Sequence, residues 1–157
     1  MPNYSIMKKF GDRLGLTKQY KDPTLAWTIF APTDAAFTKA LEKVGLKVDS
    51  LDKLPIAVLK NLITPFINYH IVPEAVPTRV MFDGESLATK DAKNDVKPLQ
   101  LSKGAGGQVV VTPGFGPSAK IVRPNIRCGA GWAHGIDGLL MPKELPKLPA
   151  ALSARLG

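Results

Sequence analysis

Apolar positions in the first half of the chain recur at helical spacing. Ile6, Phe10 and Leu14 follow every four residues with Met7 beside them, which predicts an amphipathic helix over residues 4–15 ending near Gly15. Residues 18–24 form a charged connection whose Asp22-Pro23 pair predicts a turn. Residues 28–37, Thr-Ile-Phe-Ala-Pro-Thr-Asp-Ala-Ala-Phe, then compress a buried strand, a stop and a helix start into one stretch. Ile29 and Phe30 have strand character, Pro32 has no N–H to give a ladder, and Thr33 or Asp34 can cap the amides of the next helix. In that helix Phe37, Ala40, Leu41 and Val44 share a face, and Gly45 is the expected C-terminal cap.

Residues 49–54 are polar enough for a loop or a short helix. Pro55 suits a first helical position, and Ile56, Leu59, Leu62, Ile63 and Phe66 continue a helical stripe. Pro65 is expected to break it, because Thr64 before the proline is biased out of the helical region, with a fresh turn before Asn68. Residues 69–73 read as a short buried strand closed by Pro73. From Val76 onward the period becomes strand-like, with candidate strands at 97–102, 108–112, 119–123 and 134–141. Gly104-Ala105-Gly106-Gly107 and residues 113–117 are the turns between them. Helices followed by strands predict an α+β domain with helices on one side of an antiparallel sheet or sandwich. The domain is expected over residues 1–147, with 148–157 as a proline-spaced tail whose residues 150–156 can form a last helical turn.

Composition narrows the partners more than the fold. A chain of 157 residues with 45% hydrophobic and 22% charged positions suits one globular core. At this size roughly two-thirds of the unfolded surface is buried on folding, so no staple is required. Cys128 is the single cysteine, which excludes an intramolecular disulfide. Lys plus Arg outnumber Asp plus Glu by 21 to 13, and the net charge of +8 favours anionic partners. The basic residues are scattered singles and pairs with no stripe interleaved with aromatics, so nucleic-acid binding is not expected. No apolar run approaches the length of a membrane span, and the first 20 residues lack the apolar core of a signal peptide. Asn3-Tyr4-Ser5 matches the N-glycosylation acceptor.

Three stretches in this order resemble the fasciclin domain. Residues 28–37 are similar to its first signature block, 68–73 to its tyrosine-histidine motif, and 134–142, His-Gly-Ile-Asp-Gly-Leu-Leu-Met-Pro, to its second block. The resemblance covers roughly residues 4–145. It implies a β-sandwich wedge carrying a layer of helices, used in adhesion and matrix proteins and in some soluble pigment-binding proteins of algae, generally without catalysis. It marks Thr33, Asp34, Tyr69, His70, His134 and Asp137 as structural positions, with a lock between the acidic residue of the first block and the tyrosine-histidine region. It also implies a secreted, extracellular or organelle-lumen location. Two departures stand out: Thr64-Pro65 where the family has an uninterrupted helix, and Arg127-Cys128-Gly129-Ala130-Gly131 where it has a small-residue turn with asparagine.

The residues that invite sharper chemistry have plainer readings. His70, His134 and Cys128 are zinc-ligand types, but there is no Cys-x-x-Cys, no His-Glu-x-x-His and no carboxylate set, so no metal or required cofactor is expected. His70 is expected to be buried, its ring bonded to backbone carbonyls or to Asp34. There is no Gly-x-Ser-x-Gly elbow, and Gly104–Gly107 lacks the lysine of a phosphate loop, so no enzymatic activity is expected. Tyr69 reads equally as a core residue or an exposed recognition residue. The leading functional expectation is a non-enzymatic interaction module whose partner is a protein or an acidic polysaccharide. The alternative is a soluble carrier for a carotenoid or other elongated apolar small molecule, lined by Ile6, Phe10, Leu59, Ile63 and Phe66, with Trp132 and Met141.

Overall fold

The computed structural model describes residues 4–16, 18–19, 22–42, 47, 53–90 and 97–142. The helix end at Val44 and Gly45, most of the 49–54 connection, the side chain of Leu62 and the tail at 148–157 lie outside them. Among the described residues, helices α1 (Ser5–Arg13), α2 (Asp34–Glu42) and α3 (Ile56–Tyr69) accompany a seven-stranded sheet. The strands are β1 (Thr28–Pro32), β2 (Ile71–Val72), β3 (Ser86–Leu87), β4 (Leu99–Lys103), β5 (Val109–Thr112), β6 (Ala119–Cys128) and β7 (Gly131–Ile136), in the spatial order β2-β1-β7-β6-β5-β4-β3.

The sheet is mixed rather than antiparallel. β1 lies parallel to β7, with Thr28 opposite Trp132 and Pro32 opposite Ile136, while every other pair is antiparallel. Every residue of β1 is buried, which is what its uninterrupted apolar run requires of a strand covered on both faces. Ile29 and Ala31 face a core beneath the helices, with Phe10, Phe37, Leu41, Leu59, Ile63 and Ile67. Phe30 faces a second core, with Tyr69, Val72, Leu99, Leu101, Val111, Ile136 and Leu140. β4 alternates buried and exposed positions because only one of its faces is covered. Gly135 is needed where it stands: a β-carbon there would run into the ring of Tyr4, which docks the start of α1 on the sheet.

The strand edges expected from the sequence shift in several places. β6 continues to Cys128, and β7 starts at Gly131 and stops at Ile136, leaving Met141 with only an isolated bridge to Phe115. Tyr69 ends a helix rather than beginning a strand, and His70 is that helix's C-terminal cap. The expected break at Pro65 does not occur. α3 runs unbroken through it, because the helix carries buried residues on both sides of the proline, Leu59 and Ile63 before it and Phe66, Ile67 and Tyr69 after it. Each such side chain contributes roughly 1.5–3 kcal/mol by burial, which together outweighs the ~3 kcal/mol cost of an internal proline. The oxygen Oγ1 of Thr64 is left buried with no hydrogen-bond partner.

Candidate functional site

Thr33 and Asp34 follow directly from the end of β1. The Thr33 hydroxyl accepts the Ala36 N–H at 3.2 Å and caps α2. Asp34 reaches the other helix: its carboxylate accepts the Ser5 hydroxyl at 2.7 Å and the Ile6 N–H at 2.8 Å. It therefore caps α1 from 28 residues away, and of the two partners open to His70, a backbone carbonyl or Asp34, the structure has the carbonyl, that of Phe66. A carboxylate suits that place, since the first amides of a helix carry a partial positive charge and have no acceptor of their own.

Tyr69, His70 and His134 are fully buried and tied at both ends. The Tyr69 hydroxyl donates to the Lys97 carbonyl at 3.1 Å and accepts the Gly114 N–H at 2.8 Å, joining α3 to the loops around β4 and β5. Burial raises its pKa above the ordinary 10.0, and the Gly114 bond opposes that rise. His70 Nδ1 donates to the Phe66 carbonyl at 2.8 Å, and its Nε2 accepts the Leu140 N–H at 2.9 Å. His134 uses the opposite tautomer: Nε2 donates to the Val76 carbonyl at 2.8 Å and Nδ1 accepts the Asn125 N–H at 2.9 Å. The backbone N–H facing one nitrogen of each ring fixes that nitrogen as the acceptor. Burial holds both rings neutral, pulling His70 from 6.5 to about 4 and His134 down from 6.5, in each case against a carbonyl bond that acts the other way. Asp137 is exposed, and it exchanges bonds with Lys120, accepting that residue's N–H at 2.7 Å.

The residues expected to line an apolar ligand do not form one open surface. Phe10, Leu59, Ile63 and Phe66 are buried, and the half-buried Ile6 packs against the helical core. Met141 lies beyond β7, beside Gly116 and bridged to Phe115. Trp132 is half-buried at the opposite end of β7, with the guanidinium of Arg127 over its ring at 4.8 Å and that of Arg79 at 5.8 Å. Cys128, next to Arg127, is half-buried against the helical core.

A family model described as the fasciclin domain matches residues 2–142. The chain belongs to the fasciclin family. Among curated proteins it is similar to the fasciclin-like arabinogalactan protein CTB11 of Cercospora beticola, 33% identical over 118 residues. That match takes in 74% of this chain and 26% of the relative. Among solved structures it is similar to a FAS1 domain pair from the insect cell adhesion molecule fasciclin I, with a TM-score of 0.53 and 17% identity. The overlap covers 87% of this chain and 43% of that one. The fold is thus FAS1-like and α+β.

In this fasciclin domain Tyr69, His70 and His134 are bound into the interior, whereas Asp137 of the second block is exposed. Among the described residues no three His, Cys, Asp or Glu side chains are grouped to hold a metal ion, and no helix is long and apolar enough to cross a membrane. Sequence reasoning overlooked the pairing of Arg79 and Arg127 with Trp132. Half of that signal was present: a two-residue turn at Gly129-Ala130 places Arg127 directly opposite Trp132. Arg79 arrives by tertiary folding and left no local signal.

Proposed function

We propose that this domain is a non-enzymatic, adhesion-type interaction module that binds an anionic partner outside the cell or in an organelle lumen. The observation that carries this reading is where charge and hydrogen-bonding capacity fall. The histidines and the tyrosine of the central motif spend both ends on internal bonds. The surface bears an excess of cations, +8 over the chain. A field of that sign speeds encounter with acidic surfaces and weakens as salt rises. Passing the folded domain over an immobilised acidic polysaccharide tests it: retention at low ionic strength and elution as salt increases are expected. Elution in the void at the lowest salt overturns it.

A further inference from the structure

We infer that Arg79, Trp132 and Arg127 form a binding site for an anionic polysaccharide, one that carries carboxylate or sulfate groups at short intervals. The inference rests on the anionic-partner reading above and gives it a place. Arg127 and Trp132 are cross-strand partners at the β6–β7 turn, so their side chains leave the sheet on the same face. The backbone of Trp132 is held from the other side, its main-chain N–H donating to the Trp27 carbonyl at 2.9 Å.

Arg79 is brought to them by a bulge. Between Arg123 and Ile126 the register of β6 shifts, and Asn125 adopts φ +59°, a left-handed conformation uncommon outside glycine. That turn aims the Asn125 amide at Thr78, accepting its N–H at 2.9 Å and donating to its hydroxyl at 2.7 Å, while the Asn125 N–H is taken by His134. Lys103 holds the same short 3-10 turn, Thr78–Val80, donating from Nζ to the carbonyls of Thr78 and Met81. A strained residue and a buried histidine thus hold in place the turn that presents Arg79.

Both guanidinium groups are exposed, and neither pairs with a carboxylate among the described residues. A guanidinium drawn to an indole by this attraction still carries N–H donors that can clasp an oxyanion. Two such forks against one ring suit successive anions along a chain. Guanidinium groups over the Trp132 indole compete with a base for that ring, which disfavours a single-stranded nucleic acid at this cluster. The cluster is also far smaller than the roughly 800 Å² per partner of a stable protein interface, whereas a polyanion gains by rebinding along its length.

The test compares the wild type with R79A/R127A, R79K/R127K and the control K8A/K60A, which removes the same charge from exposed positions on α1 and α3. Heparin and polygalacturonate are the probes, a single-stranded oligonucleotide the competitor, and far-UV circular dichroism the check on folding. R79A/R127A is expected to weaken heparin binding about tenfold or more, and R79K/R127K to lose several-fold despite its unchanged charge. K8A/K60A is expected to stay within about twofold. Failure of the wild type to bind either polysaccharide overturns the anionic-partner reading itself. Wild-type binding that falls equally in K8A/K60A, or that R79A/R127A leaves intact, overturns this site alone. An oligonucleotide that outcompetes heparin at these arginines overturns the choice of polysaccharide.

Discussion

Lowering the pH from about 7.5 to about 5 destabilises the folded domain through His70. Its imidazole titrates at 6.5 when exposed and at about 4 in the fold, where burial penalises the charge. A second proton would land on Nε2, the nitrogen that now accepts the Leu140 N–H, and would set two donors against each other. The sign follows from a depressed folded pKa: above 6.5 the contribution is complete, and as the pH falls from 6.5 toward about 4 the unfolded chain takes up a proton that the folded one refuses. At about 1.4 kcal/mol per pH unit the whole span is worth about 3 kcal/mol, of which about 2 kcal/mol is lost by about pH 5. Against the roughly 5–15 kcal/mol stability of a domain this is a large share, equivalent to about 4–8 °C in Tm. His134 acts in the same direction, its acceptor nitrogen occupied by Asn125. Guanidinium chloride midpoints across this range, for the wild type and His70→Gln, give the measurement. A wild-type midpoint that does not move, or a pH slope in His70→Gln as steep as the wild type's, would refute the reasoning.

Asp34→Ala removes the acceptor for Ser5 and Ile6 and is expected to cost about 1–2 kcal/mol, with Asp34→Asn costing less; an unchanged thermal midpoint for the alanine variant would show that α1 needs no such cap. Thr64→Val deletes the buried hydroxyl that has no partner and keeps the shape, so the midpoint should rise by about 1 kcal/mol equivalent; a fall would mean that the hydroxyl is satisfied.

The elements legible in the sequence are those whose reasons are local. Ile6, Met7 and Phe10 announce α1 by period, and Thr33 announces the start of α2 by its capping hydroxyl. The Gly104 turn closes β4 onto β5 through the Gly104 N–H to Gln108 carbonyl bond, as its glycines suggested. What stayed hidden depends on distance. Pro65 carries a local rule against helix, and only the three-dimensional burial of Phe66 and Tyr69 shows why the rule loses. The parallel pairing of β1 with β7 joins strands about a hundred residues apart, and no turn signal can report it. Asp34 was recognisable as a cap, but its own helix start was the nearer candidate, and the choice of α1 depends on where Tyr4 and Gly135 let that helix dock.

The same distinction bears on where recognition can occur. A partner that engaged Tyr69, His70 or His134 would first have to break internal bonds, each costing roughly 1–3 kcal/mol in a buried setting, and would find no exposed surface at those residues. Arg79 and Arg127 have no such prior commitment to a carboxylate among the described residues, and their contact with Trp132 restrains them in advance. Substitutions in the buried motif should therefore act on stability first and on binding only through it. Substitutions at the two arginines should do the reverse, because Asn125 and His134 hold the turn in place whether or not an anion is bound.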